Sequence, residues 1–214
     1  LSENLRVEVR RDGRIYEQTY HRGEVATDLA EIGTTTETGT TVSFKPDHTI
    51  FEETEYSYDT LSQRLRELAF LNAGLRINVI DERSGKKHEF KFDGGIVEFV
   101  KSLNHAKDTL HPDVIYVHRS REDVDVEVAV QYNDTYNENV FAFVNNIHTV
   151  EGGTHLVGFK AALTRTLNTY GTKSGLFKDM KSGLTGDDVR EGLVAVISVK
   201  LRDPQFEGQT KTKL

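Results

Sequence analysis

Leu193-Val194-Ala195-Val196-Ile197-Ser198-Val199 is followed, after a short charged step, by Pro204-Gln205-Phe206-Glu207-Gly208-Gln209-Thr210-Lys211-Thr212-Lys213-Leu214. The first run is apolar and rich in β-branched residues, which predicts a buried strand. Proline has no amide proton for a sheet ladder, so Pro204 ends that strand. The rest is a polar loop carrying amides and amines. A lysine on such a loop is a mobile point charge suited to a phosphate. On residue chemistry alone, such a tail is more often a solvated chain end.

The preceding segments alternate strands and helices. Residues 5–11 and 14–20 read as two strands joined at Asp12-Gly13, a strong hairpin signal. Residues 21–37 read as loop, and Gly39 to Phe44 as a further short strand before Pro46-Asp47. Asp59 is a candidate N-cap for a helix with Leu61, Leu65 and Leu68 on one face and Gly74 at its stop. Leu75 to Ile80 and His88 to Phe92 form a second expected hairpin around Ser84-Gly85. Gly94-Gly95 is the candidate domain boundary, with a helix from Ile96 to Asn104 beyond it.

Val124, Val126, Val128 and Val130 alternate with polar or small residues, which predicts a half-buried strand with Val140 to Asn145 as its neighbour. Thr154 is placed to cap a long helix through Tyr170, burying Leu156, Phe159, Leu163 and Leu167. On that wheel Arg165 points away from the stripe and Lys160 lies on its flank. Thr185-Gly186-Asp187-Asp188 opens a short helix, with acidic residues at its positive end.

Composition limits the function classes. The chain has 214 residues, 36% apolar and 29% charged, with a formal charge of -7 and no cysteine. No disulfide framework or thiolate metal site is possible. No apolar run approaches the roughly 20 residues of a membrane span, and no signal-peptide pattern opens the chain, so a cytoplasmic location is expected. The acidic balance argues against a coat of DNA-binding cations but leaves room for a local strip. Between residues 156 and 183 that strip is Lys160, Arg165, Lys173, Lys178 and Lys181, opposed only by Asp179. The eight histidines show no metal-ligand spacing, so no metal site is expected. His155 reads as structural, Asp187 and Asp188 as capping residues. Gly94-Gly95 and Gly152-Gly153 lack the lysine and Ser/Thr of a phosphate loop. The chain opens without Met on an already alternating strand, as a piece of something longer would.

Taken together, Asp203-Pro204-x-Phe206-x-x-Gln209-Thr210-Lys211 resembles the QTK loop of type II DNA topoisomerases, most closely the gyrase B family. Gln18-Thr19-Tyr20, Thr38-Gly39-Thr40, Arg64 to Asn72, Asn145-Asn146-Ile147, Gly152 to His155 and Thr185 to Leu193 are similar to that family in order and spacing. The resemblance covers essentially the whole chain. It implies an α+β protein: residues 1–95 as the C-terminal portion of a GHKL ATP-binding α/β sandwich, and 96–214 as a transducer domain. The transducer would have the second-domain fold of a small-subunit ribosomal protein, with a left-handed βαβ crossover.

The resemblance also implies roles. Lys211 would touch the terminal phosphate of ATP as a catalytic charge, and Gln209 would bind that phosphate or orient the loop. Thr40 matches a threonine near the adenine pocket, Arg11 an arginine contacted by aminocoumarin inhibitors, and Lys160 a basic residue lining the cavity between two transducers. Arg165 is a second candidate there. The implied activity is ATP-dependent supercoiling and strand passage of double-stranded DNA, with gyrase A and a second copy of gyrase B as partners. Mg2+ and most of the ATP would be held by residues preceding this stretch, so the chain alone is expected to be inactive. The topoisomerase IV B subunit is the alternative within the family. A nucleic-acid-binding module without nucleotide chemistry is the rival from another class.

Overall fold

The computed structural model describes all residues except Asp179, Met180 and Lys181, so the Lys181 position of the basic strip lies outside the described residues. The chain forms two compact units, Leu1–Ser57 and Tyr58–Leu214.

The first unit is one antiparallel sheet. β1 (Ser2–Arg11) and β2 (Arg14–His21) pair in full register from Asn4↔His21 to Arg11↔Arg14. Their turn has Asp12 at φ 54 and Gly13 at φ 78, the two left-handed residues that a type I′ hairpin requires. β5 (Gly39–Pro46) pairs with β1 on its other side. The expected loop at 21–37 instead contains β3 (Glu24–Val25) and β4 (Ala30–Thr34), both paired to β2. Short polar strands of this kind are held by ladder hydrogen bonds rather than by an apolar face, so no periodicity announces them. Among the described residues of this unit, only Asp47 is buried. Val42 and Phe44 on β5 are exposed.

The second unit begins with α1 (Tyr58–Leu71) and the hairpin of β6 (Ile77–Asp81) and β7 (Lys86–Phe90). Asp59 lies inside the first turn of α1 rather than at its cap. α2 (Ile96–Leu103) starts after Gly95, whose φ of 59 makes it a left-handed entry residue. Phe70 of α1 stacks on Phe92 at 3.6 Å and on Phe99 of α2 at 4.7 Å. These rings bind residues 58–95 to the rest of the unit, so the compact units divide at Ser57/Tyr58 while the expected boundary lies at Gly94-Gly95.

The main sheet contains β8 (Ile115–Arg121), β9 (Val124–Tyr132), β10 (Asn139–Val144), β11 (Ile147–His148) and β12 (Leu193–Leu201), in the order β11-β10-β12-β9-β8. β9 and β10 are not neighbours, because β12 inserts between them, parallel to β10 and antiparallel to β9. β12 is covered on both faces, which is why it reads as an unbroken apolar run. On one face Val194, Val196, Ala129 and Phe143 pack with Phe70, Ile96, Phe99 and Val100. On the other, Leu193, Ala195 and Val130 receive Phe159 and Leu163.

Those two come from α3 (Thr154–Lys173), whose cap is Gly153 rather than Thr154. α4 (Gly186–Arg190) completes the crossover to β12. Thr185 and Asp188 form a reciprocal capping box at its start, with Asp188 N donating to Thr185 Oγ1 at 3.2 Å and Thr185 N to Asp188 Oδ2 at 2.7 Å. Among the described residues no helix is long and apolar enough to cross a membrane.

Candidate functional site

The segment after β12 is folded back on itself. The Glu207 amide donates to the Lys213 carbonyl at 2.9 Å, and the Lys211 amide to the Gly208 carbonyl at 3.1 Å. The outer bond closes the loop at its base and the inner one makes a tight turn at its tip. Gly208 (φ 134) and Lys211 (φ 56), the residues at the two ends of that turn, both have positive φ. Lysine there is uncommon, since its β-carbon crowds the backbone.

Gln209, Thr210 and Lys211 are exposed at the tip. Lys211 Nζ hangs 5.9 Å from the centroid of Phe206, a cation–π distance, and has no carboxylate partner among the described residues. The other tail lysine is different. Lys213 Nζ meets Glu207 Oε2 at 2.5 Å, and this hydrogen bond and charge raise its pKa. The loop thus carries one neutralised ammonium at its base and one uncompensated ammonium at its tip.

The base is anchored to the entry of α3. Glu151 N donates to Thr212 O at 3.0 Å, Leu214 N to Gly152 O at 3.2 Å and Thr154 N to Leu214 O at 3.3 Å. A pair of glycines without a phosphate-loop lysine signals a close backbone approach, and here the tail is what approaches. His155 lies beside this junction. Thr149 Oγ1 donates to Ala142 O and stands 3.0 Å from His155 Nε2, so the ring donates through Nε2. Among the described residues its Nδ1 is buried without a partner, and burial lowers the ring's pKa. A neutral, packed histidine is the structural residue expected.

The other candidates are more dispersed. Lys160 on α3 is not a free cation: its Nζ is 2.6 Å from Glu138 Oε1, and Arg190 Nε holds the other oxygen of Glu138 at 3.0 Å. Arg165, Lys173 and Lys178 are exposed, and Arg165 has no ion pair among the described residues. In the first unit, Thr40 is exposed on β5 opposite Val9. Arg11 is exposed at the hairpin tip, 3.5 Å from Asp12.

Comparison with known proteins gives this geometry its context. The family model described as DNA gyrase B matches residues 95–214. The DNA gyrase B subunit of Clostridium acetobutylicum is 58% identical over 215 residues, covering 100% of this chain and 34% of that protein. That of Myxococcus xanthus is 59% identical over 214 residues, covering 100% of this chain and 26% of that protein. The chain therefore spans about a third or less of the length of these relatives.

Among solved structures, the 43K ATPase domain of Thermus thermophilus gyrase B in complex with an aminocoumarin superposes with a TM-score of 0.86 at 41% identity, covering 100% of this chain and 58% of that one. A topoisomerase IV ATP-binding domain of Francisella tularensis in complex with a small-molecule inhibitor gives 0.81 at 28% identity, covering 100% and 58%. The mixed sheet-and-helix fold matches these structures, and the identity is higher toward this gyrase B than toward this topoisomerase IV. The chain belongs to the DNA gyrase B family.

Proposed function

We propose that this chain works within the ATPase region of a type IIA DNA topoisomerase, as the part of a gyrase B subunit that senses ATP and transmits its state. Residues 1–95 are the end of the ATP-binding domain and 96–214 the transducer. The observation that supports this most directly is Lys211, an uncompensated ammonium on a turn closed at its base and tied to α3.

The residues present fit one end of a nucleotide. Lys211 and Gln209 offer a cation and an amide to a terminal phosphate. Among the described residues no group of three or more His, Cys, Asp or Glu side chains gathers to hold a cation, and Mg2+ is assigned to other parts of the parent. When bound, ATP with Mg2+ supplies the phosphoryl group whose loss changes the charge at the loop. Phosphoryl transfer demands positioning and charge stabilisation, with little covalent work for the protein. Lys211 provides charge to the phosphate without moving a proton; within the first unit, the resemblance assigns Thr40 to the adenine and Arg11 to aminocoumarin contact.

Because the Lys211 contact differs between nucleotide states, it biases a two-state element. The parent then passes one DNA duplex through another in the cytoplasm, together with gyrase A and a second gyrase B. The chain alone does not hydrolyse ATP. Lys211→Ala in the full-length protein tests the reading. Losing one preorganised donor of this kind costs about 2.7–4 kcal/mol, or roughly a hundred- to a thousandfold in kcat. ATP affinity falls much less; equal losses in both would reduce the lysine to ground-state binding.

A further inference from the structure

Gly153 has φ 136 and ψ -171, a region that only glycine occupies without strain. A β-carbon built on it would lie 2.7 Å from the Leu214 nitrogen and 2.9 Å from the Leu214 β-carbon, and closer still to the Leu214 main-chain oxygen. Two of those atoms are backbone, so a methyl cannot be accommodated by a rotamer change. The tail at residues 212–214 is laced to 151–154 by the three backbone hydrogen bonds already described, and Gly152 pairs with Lys213 as a parallel bridge. Six residues before Lys213, Glu207 grips it by both an ion pair and a backbone bond. The anchored residue at one side of Lys211 is therefore coupled to the far side of its turn.

We propose that Gly153 and the Glu207–Lys213 pair are positioning elements for Lys211. Gly153 seats the tail against the first residue of α3, and the ion pair closes the loop so that the Lys211 ammonium projects from a fixed base. The inference rests on the reading of Lys211 as the phosphate-contacting lysine. None of the three groups need touch the nucleotide; they act through the backbone on either side of the turn. Near a reacting phosphate a misplacement of about 1 Å costs up to roughly a hundredfold in rate. The same lacing makes the loop and the amino end of α3 move as one body.

The test uses the full-length protein and reads kcat, KM for ATP and melting temperature. Gly153→Ala is expected to lower kcat by up to about a hundredfold, with KM changed far less. Glu207→Lys is expected to lower kcat more modestly, because an exposed pair is worth about 0.2–1 kcal/mol, which is a factor of roughly 1.4 to 5. Adding Lys213→Glu to that variant should restore the rate, with the melting temperature level across the parent and the two charge variants. A purely structural role would move the melting temperature instead and would show no rescue.

A slow Lys211→Ala enzyme beside a Gly153→Ala enzyme of parental rate overturns this inference and leaves the phosphate role standing. A Lys211→Ala enzyme of parental rate overturns both. Should Gly153→Ala fail to fold, the charge-reversed pair decides alone: rescue supports the positioning role, and a double variant as slow as Glu207→Lys sinks it.

Discussion

Lys160 gives its ammonium to Glu138 at 2.6 Å, while Arg190 occupies the opposite oxygen of the same carboxylate. The cation that the resemblance places at a DNA cavity is thus already neutralised, whereas Arg165 on α3 is exposed and has no ion pair among the described residues.

Charge reversal at Arg165 is expected to lower DNA-stimulated ATPase in the full-length protein while sparing basal turnover. The salt dependence of DNA binding should become shallower by about one unit of slope, the value of one lost phosphate contact. Reversal at Lys160 alone should do less. Glu138→Gln should have the opposite sign, releasing Lys160 and steepening the slope by up to about one unit. Equal effects of Arg165 and Lys160 variants would mean that the Glu138 pair opens readily.

Phe70 is 2% exposed and stacks on both Phe92 and Phe99. Phe70→Ala removes a ring that joins α1, the β7 side of the hairpin and α2. A cost of about 3–5 kcal/mol is expected from lost burial and the cavity left behind. Denaturant unfolding monitored at the second unit measures it. A cost below about 1 kcal/mol would show that the three rings collapse to refill the space.

Asp47 accepts from Thr49 Oγ1 at 2.7 Å and Thr49 N at 2.9 Å, and Arg22 Nε lies 2.8 Å away. The Thr49 bonds, then the Arg22 charge, lower its pKa to about 2. The unfolded value is about 3.9. A depressed carboxylate contributes stability that is whole above the unfolded value and is lost as pH falls through the folded one. The first unit should therefore loosen between about pH 4 and pH 2. The Ile50 and Phe51 amides, which donate to the Asp47 carbonyl, report it by hydrogen exchange. Asp47→Asn should flatten that pH dependence while lowering protection at neutral pH.

Thr185→Ala removes half of the capping box on α4. About 1 kcal/mol should be lost, with Thr185→Ser recovering most of it. An unchanged melting midpoint for the alanine variant would assign the helix entry to the Asn168 side chain, which accepts from Leu184 N at 2.8 Å and donates to Leu184 O at 2.9 Å.

Local rules carried the sequence reading where structure is local. Asp12-Gly13 named its hairpin, Thr185 to Asp188 a helix start with Asp188 among its capping residues, and the apolar run at residues 193–199 its buried strand. Sequence reading failed where partners are distant. β8, Ile115–Arg121, is exposed along its whole length and mixes His118, Arg119 and Arg121 with its apolar residues, so it has no buried period to detect. The insertion of β12 between β9 and β10 depends on a strand made some fifty residues later. The proposed roles of Lys211 and Gln209 come from a motif. The Glu138 partner of Lys160 and the Gly153 seat for Leu214 were not legible, because nothing local ties residues 22 and 61 positions apart.

The position of β12 also has a temporal consequence. It is the last of its sheet's five strands to leave the ribosome, yet it occupies the centre. Until residue 201 has emerged, β8 and β9 form only a hairpin, and β10 has no long strand beside it. Val130, Ala142 and Phe143 must wait uncovered during synthesis, a state exposed to misassociation. Closure of this sheet is thus an event near the end of translation of the segment. The loop bearing Lys211 takes its place only after that closure, so a nascent chain with an open sheet has no anchored lysine to present.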